Sequence, residues 1–320
     1  MIRIAVDAMG GDHAPAEIVK GAILASQELQ AEIILVGDPK KLSHELKSTK
    51  LPIVAASQVI GMNEHPAQAV KQKKDASINV AIALVKDGKA DGIVSAGNTG
   101  ALMAASLFKL GRIPGVERPA IATVFPLPTG NVVLLDMGAN VDCKPKHLEQ
   151  FAVMGSLYAQ HILHLDNPRV ALLNIGEEKE KGNELTREAW PLLNDSPINF
   201  IGNIESREVL EGKANVVVCD GFVGNLVLKF AESFTVYTYK MLKEELSKGV
   251  LSKVGLALLL PALLKLRKKI SSDEYGGAPL LGISGVVIKA HGRAKAKAIK
   301  NAIREAVEGV RENLVTKLGG

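Results

Sequence analysis

The stretch "VVVCDGFVGNLVLKFAES", residues 216–233, contains the residues that raise the first chemical question. Its β-branched run stops at Asp220, passes through Gly221, Gly224 and Asn225, and resumes with helical spacing. A strand that opens a helix in this way fits a plain turn. It fits an anion cradle equally, because the first N–H groups of a helix have no partner within it and lie at the positive end of its dipole. Two other stretches have the same makeup. In "SAGNTGALMAASLFKLG", Ser95 ends a strand-like run, Gly97 and Gly100 permit close backbone approach, and Asn98 or Thr99 can cap a helix beginning near Ala101. In "IRIAVDAMGGDHAP", Asp7 ends the run and Gly10, Gly11, Asp12 and His13 follow. Neither a Gly-Lys-Ser/Thr ending nor GxGxxG occurs in these loops, so nucleotide is not indicated and phosphate itself fits.

A longer polar loop, "NIGEEKEKGNELT", starts at Asn174 and carries Lys179 and Lys181 beside Gly182-Asn183. It reads either as a solvated loop or as a segment that swings a lysine over an anion to neutralise it. No Ser-His-Asp or Cys-His arrangement supplies a covalent nucleophile. The seven histidines are scattered, the His161 and His164 pair suits a helix surface, and no Cys/His cluster has metal-ligand spacing. No metal and no cofactor are therefore expected.

Elements must position these groups. Strand-like runs recur at 32–38, 91–95, 131–136, 169–174 and 214–220 as well as at the start, with amphipathic helices such as "SINVAIALVKDGK" between them. Continuous apolar runs alternating with helices predict a three-layer α/β fold with a mostly parallel sheet covered on both faces. Ligands bind such sheets beyond the carboxyl ends of the strands. Those ends carry Asp7, Ser95, Asp136, Asn174 and Asp220, so the Asp220–Asn225 turn is expected to form one wall of a shared crevice.

The chain has 320 residues and 47% hydrophobic content, enough for one large domain over 1–320, and its 4% aromatics require an aliphatic core. Two cysteines, Cys143 and Cys219, and the lack of a leading signal sequence lead us to expect a reducing cytoplasm. The net charge of +5 is uneven. Residues 240–269 hold eight Lys or Arg against two Glu, and residues 289–304 hold six basic residues and no acid. These are either solvated helix faces or surfaces for an acidic partner or anionic membrane, and nucleic acid is not expected.

Residues 240–275 break the alternation and are expected to form a helical tip. The apolar run from Val254 to Leu264 is eleven residues long and contains Pro261, whereas a bilayer span needs about 20. Pro261 suits the first turn of a second helix, giving a protruding hairpin. Leu256, Leu259, Leu260 and Leu263 beside Lys265 and Arg267 have the composition of an interfacial helix; packing against a partner subunit is the other reading.

Taken together, "DAMGGDHAP", "SAGNTGA", "LLDMGAN", "NIG" with "KGNE", and "CDGFVGN" resemble the PlsX family of phosphate acyltransferases over essentially the whole chain. The resemblance implies a fold like isocitrate and isopropylmalate dehydrogenases and phosphotransacetylase, in a homodimer with the site near the dimer cleft. It implies transfer of an acyl group from acyl-[acyl carrier protein] to inorganic phosphate, giving acyl phosphate for bacterial phospholipid synthesis. It further implies catalytic roles for Lys181, shielding phosphate, and Asn225, donating to an oxygen. His13 is then either a general base or a structural histidine. Gly10, Gly11, Asp12, Ser95, Gly97, Asn98, Thr99, Gly100, Asp136, Asn174, Asp220 and Gly224 bind phosphate or orient these groups. Lys289, Arg293, Lys295 and Lys297 become candidates for docking the acidic carrier protein. The hairpin suits attachment to the membrane, where a glycerol-3-phosphate acyltransferase would take the product.

The chemistry agrees with the residues. Phosphate is already an oxyanion, and a thiolate with a pKa of about 8.5 is a fair leaving group, so positioning and charge neutralisation suffice. Competing readings are a phosphotransacetylase-like enzyme using acyl-CoA and a membrane-attached carrier-protein scaffold without turnover. A metal-dependent dehydrogenase is a third, although Asp136, Asp142 and Asp220 lack metal-ligand spacing.

Overall fold

The computed structural model describes residues 1–247, 249, 252, 255, 258–263 and 276–319. Its strands fall into two sheets. The first contains β1 (Ile2–Asp7), β2 (Ala31–Gly37), β3 (Ile53–Ala55), β4 (Gly92–Ser95), β5 (Ala120–Ile121), β11 (Gly277–Leu281) and β12 (Val286–Ala290). They run in the order β3-β2-β1-β4-β12-β11-β5. The pairings from β3 through β12 are parallel, and β11 is antiparallel to both its neighbours.

The second sheet contains β6 (Thr123–Leu127), β7 (Gly130–Leu135), β8 (Arg169–Leu173), β9 (Asn199–Ile204) and β10 (Val216–Val218), ordered β6-β7-β10-β8-β9. Only the β6–β7 hairpin is antiparallel. The mostly parallel α/β class is as expected, but the strand ends divide between two sheets rather than sharing one edge. The hairpin starts the second sheet. Gly130, at φ 133°, provides the backbone geometry for its turn, and the chain then adds parallel strands on that new template.

The apolar runs are buried on both faces, as covered parallel strands must be. On β1, Ile4 and Val6 join one core while Ala5 joins another. The first of these packs α1 (Ala16–Glu28) against α10 (Ala296–Arg311). A Cβ on Gly21 would lie 2.6 Å from Ile299 Cβ, so glycine permits the close crossing of these helices. The other face carries α4 (Ser77–Lys86) and α5 (Thr99–Lys109), and its core continues into Val132, Ala171 and Val217 of the second sheet. A third core packs α6 (Pro145–His161) on β7, β8 and β10. Side chains are overwhelmingly aliphatic; Tyr158 and Phe151 are the two aromatics among the largest fully buried ones.

Beyond β10 runs α9 (Gly221–Leu246), a single helix of 26 residues. It presents Phe222, Leu226, Phe230 and Phe234 outward at four-residue steps, and Phe230 is 71% exposed. Of the expected tip at 240–275, Leu256, Lys265 and Arg267 lie outside the described residues. Leu259 and Leu260 are exposed and Leu263 is partly buried. Among the described residues, no helix is long and apolar enough to cross a membrane.

Candidate active site

In the first sheet the chain leaves β1 toward β2 on one side and returns in β4 on the other, so the crevice between β1 and β4 is the topological switch point. Asp7 and Ser95 end these strands in register. Ser95 Oγ donates to Asp7 Oδ2 at 2.6 Å and accepts from the Gly97 N–H at 3.0 Å. Met9 N–H donates to Asp7 Oδ1 at 3.3 Å. Burial raises the Asp7 pKa above the usual carboxylate value, opposed by hydrogen bonds from Ser77, Ser95 and the Met9 and Gly10 amides. The two glycine loops touch: a Cβ on Gly10 would lie 2.5 Å from Asp7 Oδ2 and 2.8 Å from Gly97 Cα.

Asn98 is the cap of α5. Its Oδ1 accepts from Ala101 N–H at 3.0 Å, and its Nδ2 donates to the Met62 carbonyl at 2.9 Å and to those of Gly61 and Glu64 at 3.3 Å. The Asn98 side chain therefore holds the 61–64 loop against the cradle. The N–H groups of Thr99 and Gly100 meet no protein acceptor among the described residues, leaving the positive end of α5 available to an anion. Asp12 N–H donates to the Gly292 carbonyl at 2.8 Å, tying the first glycine loop to the segment after β12. His13 is exposed beside it, and its carbonyl accepts from Glu17 N–H at the start of α1.

At the carboxyl edge of the second sheet, Asp136 is fully buried. Its Oδ1 accepts from the Ile121 and Ala139 amides, each at 3.0 Å, and its Oδ2 from the Asn140 amide at 2.7 Å and Asn140 Nδ2 at 2.8 Å. Burial raises its pKa, and these donors oppose the shift. Asp136 thus fixes the 137–140 loop. Asp220 caps α9, accepting from Val223 N–H at 2.9 Å. The glycines of this junction make room: a Cβ on Gly221 would lie 2.6 Å from the Asn140 carbonyl, and one on Gly224 would meet the Asp136 carbonyl oxygen. Asn225 follows on the first turn of α9, exposed and beside Gly138, whose φ is 117°.

The polar loop is ordered by Asn174, whose Nδ2 donates to the Lys181 carbonyl at 3.0 Å and whose Oδ1 accepts from Ile175 N–H at 2.9 Å. Gly182, at φ 100°, leaves no room for a side chain, because a Cβ there would run into the side chains of Thr186 and Asn174. Asn183 caps α7 (Glu184–Asn194). The two lysines separate: Lys179 Nζ sits 4.3 Å from the centre of the Trp190 ring, while Lys181 is exposed.

The two carboxyl edges are linked by α9. It starts at Asp220 beside the second sheet, and two turns on, the charge of Lys229 acts on Lys289 and His291 at the end of the first. Lys289, expected on the docking rim, is not a surface residue, because it lies near the end of β12 in register with Ser95 and is 9% exposed. Arg293, Lys295 and Lys297 are exposed. The apolar run "GVVIKAHG" has the same strand-end signature as the other loops, but it ends in lysine rather than a small or acidic residue. Neither thiol is poised as a nucleophile: burial and the charge of Asp136 push Cys143 up to about 12, and burial pushes Cys219 higher still. Among the described residues no group of three or more His, Cys, Asp or Glu side chains is placed to hold a metal.

These features agree with the comparisons to known proteins. The family model described as fatty acid synthesis protein matches residues 2–317. A phosphate acyltransferase from Heliobacterium modesticaldum is 54% identical over 323 residues, covering 99% of this chain and 96% of its own. One from Thermosynechococcus vestitus is 55% identical over 315 residues, covering 96% and 92%. A phosphotransacetylase from Streptococcus pyogenes shares the fold, with a TM-score of 0.67 at 16% identity and coverage of 97% of this chain and 94% of that one. The chain belongs to the PlsX family of phosphate acyltransferases.

Proposed function

We propose that this acyltransferase takes a fatty acyl group from acyl-[acyl carrier protein] and delivers it to inorganic phosphate, forming acyl phosphate for phospholipid synthesis. A phosphate oxygen attacks the thioester carbonyl carbon directly. The tetrahedral oxyanion collapses with loss of the carrier-protein thiolate, which takes up the proton released from hydrogen phosphate. The observation that carries this reading is the pair of glycine loops at the switch point, with the Thr99 and Gly100 amides free to meet an oxyanion. The raised pKa values of Cys143 and Cys219 support direct attack over an acyl-enzyme.

Lys181 and Asn225 are the proposed catalytic groups, one neutralising phosphate and the other donating to a developing oxyanion. Exposed Arg293, Lys295 and Lys297 suit an acidic carrier protein. The outward apolar stripe of α9 supports a homodimer, and exposed Leu259 and Leu260 support peripheral attachment of a cytoplasmic protein to membrane. There the product would meet a membrane glycerol-3-phosphate acyltransferase. The likeness of fold to a phosphotransacetylase keeps acyl-CoA as a second donor to be tested.

Thioester consumption with long-chain acyl-[acyl carrier protein], measured with and without inorganic phosphate, tests the reading. Turnover should require phosphate and yield a hydroxylamine-reactive acyl phosphate. A preference for acetyl-CoA would replace the donor, and a stable acyl group on either cysteine would overturn direct attack.

A further inference from the structure

Lys289 is a buried cation for which the roles given so far have no use. Asp7 and Ser95 end β1 and β4, and Lys289, the last residue but one of β12, pairs in register with Ser95, so the three side chains stand in one row across the sheet. The residues two positions earlier, Ala5, Ile93 and Val287, belong to the core shared with α4 and α5, which fixes the face from which the row projects. The row therefore lies on the face where α5 begins, and the free amides of Thr99 and Gly100 come after the short Ala96–Asn98 turn that leaves the β4 end of the row.

The ammonium is poorly answered by the protein. Its Nζ donates to the Ala290 carbonyl, and among the described residues no other acceptor takes its two remaining protons. Asp7 is already engaged by the Ser95 hydroxyl and the Met9 amide. Burial of a cation without full hydrogen bonding is costly, and a ligand oxyanion would relieve that cost. We propose that Lys289 is a phosphate-binding residue, its ammonium meeting substrate oxygens beside the α5 amides and below the two glycine loops. The proposal rests on the phosphate-dependent reaction above, but it names a cation outside the loops that the sequence motifs single out.

The surroundings make the site responsive to pH. Burial pushes the Lys289 pKa down to about 8; Asp7 on β1 and Asp12 on the first glycine loop hold it up, and Lys229 on α9 pushes it down. His291 lies close enough to feel the charge of Lys289. A bound phosphate dianion favours the charged ammonium, so phosphate should raise this pKa, and phosphate affinity should weaken above about pH 8.

Two measurements test this on the full chain. In protein labelled with 13C at lysine, the resonance lost in Lys289→Arg should titrate near pH 8, and inorganic phosphate should move its midpoint upward while chloride at equal ionic strength does not. A midpoint unmoved by saturating phosphate would overturn the proposal, and this readout requires neither turnover nor a neutral variant that folds. In kinetics, Lys289→Met should raise KM for phosphate at least about tenfold, the scale of a lost charged hydrogen bond, with KM for the acyl donor within about twofold. A folded Lys289→Met enzyme with an unchanged phosphate KM would also overturn it. Wild-type protein that binds phosphate at Lys289 yet never transfers an acyl group to it would sink the reaction and leave the site standing.

Discussion

Ser95 Oγ bridges Asp7 Oδ2, at 2.6 Å, and the Gly97 amide, at 3.0 Å. One buried hydroxyl thus joins the end of β1 to the loop after β4, across the point where the direction of chain crossover changes. Its consequence is backbone contact between the two glycine loops, where no side chain fits on Gly10. The cradle is shaped by strand ends beneath it, which suits the preorganised anion site proposed above.

Ser95→Ala should therefore weaken both fold and site. It removes a donor to Asp7 and the acceptor of the Gly97 amide, leaving buried polar groups unpaired at a cost of about 1–3 kcal/mol. Urea denaturation should show that loss, and KM for phosphate should rise as the loops separate. Stability within about 0.5 kcal/mol of wild type would mean that the bridge does not hold the loops.

Lys181 and Asn225 should behave in the opposite way. Both are exposed, so alanine at either should leave the melting temperature nearly unchanged. Each should nevertheless cut turnover by roughly 10²-fold, the scale of losing one transition-state donor. The backbone of Lys181 is held by Asn174, and Asn225 stands beside Gly138, so both are presented from fixed loops. Near-normal kcat in either variant would remove that residue from the mechanism.

The candidate site was legible in the sequence wherever a strand ended in a small or acidic residue before glycine. Asp7, Ser95, Asp136, Asn174 and Asp220 all stand at such ends. What local pattern could not convey was their division between two sheets, because pairing is set by which edge a later strand joins. β12 comes from residues 286–290, yet it pairs with β4 at 92–95, so Lys289 joins the Asp7–Ser95 row through contacts remote in sequence. Read locally, Lys289 belongs to a basic run; only register moves it inside. Side-chain roles were hidden likewise. Asp136 looks like a ligand group but uses its oxygens on loop amides, whereas Asn98 caps α5, one of the roles its position allowed.

A pH effect on stability is expected from Glu305 on α10. It accepts a hydrogen bond from Tyr158, which is itself buried, and burial followed by the charge of Glu308 pushes its pKa up to about 7. The folded state therefore favours the protonated acid. Stability from this group is full below about pH 4.5, the unfolded value, and is lost as pH rises toward 7, by up to about 3 kcal/mol. Glu305→Gln should flatten that decline and be more stable than wild type at pH 7.5 in thermal denaturation. Parallel pH profiles for the two proteins would refute this placement.

The last prediction separates self-association from membrane binding. Phe230 and Phe234 stack on the exposed face of α9 with ring centroids 5.8 Å apart, in line with Phe222 and Leu226. A stripe of this length on a helix is costly to leave in water, and a second copy of the same stripe can cover it with the pairing symmetry of a homodimer. Leu258 and Leu259, 78% and 51% exposed, lie beyond the end of α9 within the strongly basic part of the chain. Anionic lipid adds about 1 kcal/mol per nearby Lys or Arg, which a protein partner of the same charge would not. Phe230→Asp should therefore convert the protein to monomer on a sizing column. Leu259→Glu should leave the dimer and its activity toward soluble substrate intact while abolishing sedimentation with anionic vesicles. If Leu259→Glu dissociates or aggregates the protein instead, these leucines belong to subunit packing, and the membrane reading falls.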